Sequence, residues 1–319
     1  MRVGLALPHY GFSFADGRDP SFEDLARWAR KAEGLGFDSV WVSDHFFYSF
    51  GRYGADPAPI GSLEPLTSLA ALAVVTERVR LGTLVLCAPF RHPGLVAKMA
   101  ATIDEASGGR LDLGVGAGWL QDEFDAFGYR FGSVGERFEA LEETLRVVDQ
   151  MRRGDRLLPR PPQRPMPLFV GGRGGPRLLG LAARYADGWN TVWRVSPEAY
   201  ARKVDDVRAA CERHGRDAAT FRLSIGLYGL VGNDEAEARA SFERGRASFP
   251  GGAMDADTWE SWRADTLSGS PEQVLARIEA LEALGVDELI LSPWVLPFAV
   301  VEPEQVDRFA DLVLGPLRS

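Results

Sequence analysis

Short runs of valine, leucine and aromatic residues alternate along the chain with longer stretches whose apolar residues recur every three or four positions. The first pattern belongs to buried strands, the second to amphipathic helices. Residues 2–7 open the series as a strand. Ser21 then offers a helix N-cap with Asp24 three residues on. Phe22, Leu25, Trp28, Ala29, Ala32 and Leu35 keep helical spacing, and Gly34 and Gly36 close it. The stretch Phe37-Asp38-Ser39-Val40-Trp41-Val42 predicts a second strand. It runs straight into Ser43-Asp44-His45.

The same reading predicts further strands at 79–86, 110–116, 167–171, 187–192, 221–231 and 288–291. It predicts helices at 64–76, 94–107, 135–151, 177–185, 197–213, 234–249, 271–284 and 302–314, with a short element at 119–127. The connection 46–63 is long and rich in aromatics, glycine and proline, and 250–269 reads as irregular. The proline- and arginine-rich stretch 153–167 changes nothing in the composition beyond it, so it reads as a surface loop, and residues 1–319 as a single domain. Eight strands in strict alternation with helices imply a parallel sheet. Right-handed crossovers at about forty residues per unit imply closure into a (β/α)8 TIM barrel, the alternative being an open doubly wound sheet.

Charge narrows the choice of partners. The net charge is −9 with both signs interspersed, which lacks the basic face that nucleic acid requires. No apolar run approaches bilayer length, so no membrane partner is expected. The N-terminus reads as a strand and not as a signal peptide. Cys87 and Cys211 are the only cysteines and make no disulfide framework, so a reducing cytoplasm is the expected setting.

In parallel α/β folds the carboxyl ends of the strands carry the chemistry. His9 follows the first strand, Asp44 and His45 the second, and Thr83–Cys87 ends the third. Ala117-Gly118-Trp119 follows the fourth, Gly171–Gly175 the fifth, Trp193-Arg194 the sixth and Ser292-Pro293-Trp294 the eighth. Histidine is the side chain that exchanges a proton near neutrality, and an adjacent acid can fix its tautomer. Taken alone, Asp44-His45 fits a helix cap and a satisfied core histidine equally well. The turn Gly171–Gly175 before a helix makes an anion cradle, or an ordinary flexible connection. Gly114-Val115-Gly116-Ala117-Gly118 is a poor dinucleotide fingerprint, because its third glycine comes one position early. Zinc-ligand spacings, a nucleophile elbow and a Walker loop are all missing, so no metal is expected. An anion cradle, flat rim aromatics and one proton carrier suit a phosphorylated planar redox cofactor, which these residues do not name.

Four segments carry a resemblance. Val42-Ser43-Asp44-His45-Phe46, Arg80-Leu81-Gly82-Thr83, Arg110–Trp119 and Ala186-Asp187-Gly188-Trp189 are similar to motifs of the bacterial luciferase-like monooxygenase superfamily, in its branch using the deazaflavin F420. The resemblance implies the barrel, with an insertion near strand seven at 232–270, and hydride transfer at the deazaflavin C5. FMN chemistry with oxygen is the alternative of the sister branch. It implies that His45 is the catalytic proton donor or acceptor, and that Asp44 helps bind the cofactor. Leu84-Val85 would form a non-prolyl cis peptide behind the ring. Ala117, Gly118 and Asp122 would approach the cofactor's chain, and Gly174 and Gly175 its phosphate. His9, Phe12, Phe46, Trp119 and Trp294 would face an apolar organic substrate. Relatives that oxidise glucose 6-phosphate carry a glutamate where this chain has Trp119, so the usual acid partner is expected to be missing and that activity is not expected. Loops 46–63 and 250–269 are candidate lids, and exposed helix faces permit a homodimer. A non-catalytic cofactor-binding protein is the remaining reading.

Overall fold

The computed structural model describes residues 1–318. Eight parallel strands close into a barrel. They are β1 (Arg2–Ala6), β2 (Ser39–Val42), β3 (Arg80–Thr83), β4 (Leu111–Gly116), β5 (Leu168–Gly171), β6 (Gly188–Trp193), β7 (Arg222–Tyr228) and β8 (Val286–Ser292). Each pairs with its sequence neighbours, and β1 pairs with β8 to close the ring, with Leu5 opposite Leu291 and Val40. The fold is the (β/α)8 TIM barrel. The strand expected at 79–86 is broken. Its second piece, Leu86–Cys87, pairs only with the top of β4, and the Leu84–Val85 peptide between the pieces is cis, as the resemblance implies.

Eight helices cover the outside: α1 (Phe22–Leu35), α2 (Pro65–Val75), α3 (Pro93–Ala106), α4 (Val134–Arg153), α5 (Pro176–Tyr185), α6 (Pro197–Arg213), α7 (Pro271–Ala283) and α8 (Glu304–Phe309). Ser21, Ser133, Ser196 and Ser270 cap four of them by accepting an amide of the first turn. Proline at the start of five suits the position, because no amide is needed there. Alternate strand residues such as Leu5, Val40, Leu81, Val170 and Leu289 point outward into one core shared with these helices.

The inward residues form layers. At the amino ends of the strands, Arg2 and Arg80 pair with Glu288 and Asp112. Above them Trp41 fills the bore, its indole donating to Ser39 Oγ at 2.8 Å. The facing positions are Gly4 and Gly82. A Cβ on Gly82 would lie 2.2 Å from the indole, so only glycine fits. This plug closes the bottom of the barrel and leaves the top open.

Two connections hold more structure than their sequence suggests. Within 46–63, Phe47–Tyr48 pairs with Ile60–Gly61 as a small hairpin. Within 250–269, Trp259–Asp265 is a helix started by a Thr258–Ser261 capping box, with Trp259 and Trp262 buried on Phe242. Seven residues are too few to show a helical period, whereas two buried tryptophans are enough to dock the segment. This helix and Glu235–Ser248 form the insertion between β7 and α7. The last helix widens into a π turn at Ala310–Leu314. Among the described residues, no helix is long and apolar enough to cross a membrane, and both cysteines are free and buried.

Candidate active site

A cavity of about 710 Å³ opens at the carboxyl ends of the strands, above Trp41. That volume is ample for a tricyclic ring and a small organic molecule together. Successive residues of Ser43-Asp44-His45 leave β2 in different directions, and each has different partners.

His45 reaches the cavity. Its Nδ1 lies 2.7 Å from Glu123 Oε1, and Glu123 Oε2 accepts the Phe46 amide at 2.8 Å. Glu123 is 2 % exposed. Since both carboxylate oxygens act as acceptors, Nδ1 donates to Glu123 and Nε2 is the nitrogen left to the cavity. No described residue hydrogen-bonds to Nε2. Trp119 stands edge-on to the imidazole at 5.5 Å and Tyr48 at 5.8 Å. The acid partner expected to be missing is therefore present, four residues after Trp119 and not at it.

Asp44 lines the cavity wall, but its oxygens are engaged. Arg91 grips them at 2.5 and 3.0 Å, and the Cys87 amide donates to one at 2.8 Å. Asp44 thus ties β2 to the segment after β3 and leaves the hold on the imidazole to Glu123. Burial, with Asp44 nearby, pushes the Cys87 thiol up, which makes it a poor nucleophile.

Ser43 points the other way, to His9. The Nδ1 of His9 donates to the Leu7 carbonyl at 2.8 Å, so its Nε2 accepts, from the Ser43 amide at 3.2 Å and the Ser43 hydroxyl at 3.0 Å. The Tyr10 hydroxyl then donates to Ser43 Oγ. Burial lowers His9 to about 4, and the charge of His45 acts in the same direction, so His9 is neutral. It lies behind the cavity wall and does not line it.

Opposite His45 the floor is nearly free of side chains. Gly116, Ala117 and Gly118 end β4, and Gly171 and Gly172 end β5. Val85 projects between them: a Cβ on Gly116 or Gly171 would lie 2.7 or 2.6 Å from its methyls. Gly118 has φ +75°, and a Cβ there would meet the Cys87 sulfur. Leu84, Val85, Ala117 and Gly118 therefore line the cavity as expected from the resemblance. Asp122 does not. It is exposed on the helix Gln121–Ala126, one residue from Glu123, which that helix turns inward. Gly174 packs toward Trp189, and Gly175 is the N-cap of α5, so the neighbouring Arg173 is what faces the cavity.

Of the five residues expected on the substrate side, Trp119 alone lines the cavity. Phe12 stacks on Tyr10, Phe46 on Phe90, and Trp294 is buried against Gly245. Their places are taken by Tyr48, Tyr53, Trp193, Tyr228, Phe249 and Phe298. Phe249, one residue before the second candidate lid, touches Phe50 and Tyr53, and Gly251 lies against Tyr53 and Ala55, so the two candidate lids meet beside the cavity.

The carboxyl ends of the barrel strands thus carry a half-buried imidazole and a floor of glycines around one cavity. A family model described as luciferase-like monooxygenase matches residues 1–288. The chain belongs to that family and is an oxidoreductase of its class. It is 29 % identical to an F420-dependent hydroxymycolic acid dehydrogenase of Mycobacterium tuberculosis, over 93 % of this chain and 81 % of the relative. It is 30 % identical to an FMNH2-dependent dimethylsulfone monooxygenase of Pseudomonas putida, over 91 % and 86 %. An F420-dependent secondary alcohol dehydrogenase solved with an F420–acetone adduct shares the fold, with a TM-score of 0.78, 19 % identity and 98 % of each chain covered.

Proposed function

We propose that this protein is an F420-dependent oxidoreductase that passes a hydride between the deazaflavin C5 and an organic substrate. The observation that carries the reading is the His45–Glu123 pair facing a floor stripped of side chains. A flat ring fits against Val85, Gly116 and Gly171, where any Cβ on the glycines would collide. Arg173 lines the cavity just before α5 and would pair with a phosphate of the cofactor. When bound, the cofactor supplies the hydride acceptor or donor.

The protein's own residues do the rest. His45 Nε2 takes a proton from the substrate oxygen in oxidation or returns it in reduction. Glu123 stabilises the imidazolium formed and keeps Nδ1 occupied, so that Nε2 faces the reaction. Tyr48 and Trp119 pack on each other and stand edge-on to the imidazole, which holds it in place. The aromatic wall excludes water and sets the apolar body of the substrate against the ring.

An FMN-dependent monooxygenase is a second reading, favoured by the equal similarity to the P. putida enzyme. Titration of the purified protein with F420 and with FMN, followed by absorbance and calorimetry, separates the two. Micromolar binding of FMN with none of F420 rejects the first reading. Binding of neither rejects both.

A further inference from the structure

Every acid in the cavity wall is matched by its own neighbours. Asp44 is held by Arg91, and Glu123 by His45 and the Phe46 amide. Two guanidinium groups in the same wall, Arg52 and Arg173, are not matched. Among the described residues neither makes an ion pair or a hydrogen bond, although the chain as a whole carries a net charge of −9. The unpaired charge of the cavity is therefore positive.

The two cations sit on different walls. Arg173 follows β5, on the side of the glycine floor. Arg52 belongs to the lid, in the short turn Gly51–Tyr53. Its guanidinium lies 4.6 Å over the Trp119 ring and 5.2 Å from the Tyr53 ring. This stacking holds the cation through its face and leaves the N–H edges free to donate. Trp119 in turn meets His45 edge-on at 5.5 Å, so the guanidinium stands within about 10 Å of the imidazole, the two ring separations laid end to end. An organic molecule of two fused rings spans much of that distance.

We propose that Arg52 is the anion handle of the substrate site, and that the substrate is an organic carboxylate. Its charged end meets Arg52 at the lid, and its apolar body lies along Trp119 and Tyr53 toward His45. This rests on the proposed oxidoreductase reading only in placing the far end of the substrate at His45. An aliphatic or aromatic acid gains a bidentate, charge-assisted contact that its neutral amide cannot make. The contact is near solvent, so salt weakens it.

The test uses 2-naphthoate and 2-naphthamide as matched probes, titrated calorimetrically into the full-length protein. The acid is expected to bind at least about tenfold more tightly than the amide, a preference that shrinks in high salt. In Arg52→Gln the preference disappears, and in Arg52→Lys it returns in part, since the charge is kept and the fork is lost. The affinity for F420 or FMN stays within about twofold in both variants. Equal binding of acid and amide to the wild type overturns the proposal. So does an Arg52→Gln variant that loses cofactor affinity as much as acid affinity, because the handle would then serve the anionic tail of the cofactor. Should neither F420 nor FMN bind, the oxidoreductase reading fails separately, and the acid–amide comparison still decides the role of Arg52.

Discussion

Replacing Glu123 by Gln removes one charge and little volume from the hold on His45. The carboxylate accepts from two donors, Nδ1 at 2.7 Å and the Phe46 amide at 2.8 Å. A glutamine has one oxygen for the two of them, so one donor faces an NH2 group in a site 2 % exposed. An unmatched buried donor costs about 1–3 kcal/mol. When His45 is protonated, the lost attraction adds up to about 4 kcal/mol, the value for unit charges 4 Å apart near a protein surface. The Phe46 amide cannot turn, whereas the imidazole can move its proton to the other nitrogen. Glu123→Gln is therefore expected to lower the unfolding free energy by less than the ~1–3 kcal/mol of a donor left unmatched, and to shift His45 from the Nδ1–H toward the Nε2–H tautomer, which matches the glutamine NH2 to Nδ1. Urea unfolding measures the first. Nitrogen-15 shifts of the imidazole measure the second, and the chain has only four histidines to assign. A stability within ~0.5 kcal/mol of wild type, with unchanged imidazole shifts, would refute the assigned hydrogen-bond directions.

Gly82→Ala places a Cβ 2.2 Å from the Trp41 ring and is expected to cost about 3 kcal/mol, with a further Trp41→Leu change recovering part of the loss; urea midpoints of the two variants check this. Arg91→Leu leaves Asp44 buried with the Cys87 amide as its one remaining partner, and an unfolding free energy about 3–5 kcal/mol lower is expected by the same assay. Burial pushes Glu288 up from 4.5 to about 7, so between those values the native chain keeps a proton the unfolded chain has released. Stability from this group therefore falls as pH rises through that window, and Glu288→Gln is expected to remove that slope. His9 acts in the opposite sense. Held neutral down to about 4 by burial, it lends up to about 3 kcal/mol above pH 6.5 that is lost as pH falls toward 4, so Glu288→Gln is expected to steepen the acid loss seen in pH-dependent thermal melts.

The barrel was legible because its signals are repetitive. Short apolar runs, serine caps and N-terminal prolines mark nearly every unit, and errors at the ends of elements do not alter the topology. The site was legible only where strand ends place a residue directly, as at His45, Val85 and Gly118. Glu123 carried a signal that went unused. Leu120 and Phe124 mark the inward face of a short helix, and Glu123, three residues after Leu120, lies on that face while Asp122 lies off it. Phe12, Phe46 and Trp294 are expected beside Trp119 at the substrate pocket. Each instead packs on another ring or under the insertion, because position at a strand end does not fix which way a loop side chain turns. The hairpin that brings Tyr48 and Arg52 over the cavity has two-residue strands, too short for any periodicity.

Histidines at the ends of two adjacent strands take opposite roles, and one tripeptide assigns both. Ser43 donates to the Nε2 of His9 from both amide and hydroxyl, while the Leu7 carbonyl takes the proton on Nδ1. Neither nitrogen of His9 is left for a ligand, and full burial keeps the ring neutral. Two residues later the chain has turned into the cavity, and His45 has one nitrogen fixed and one free. Asp44 between them anchors the segment that follows the cis peptide, through Cys87 and Arg91. The free nitrogen of His45 is therefore left to the cavity at a place set by its two immediate neighbours in sequence. Changing Ser43 or Asp44 is expected to displace the imidazole without touching it, so the placement of His45 is a property of the whole strand end and not of the histidine alone.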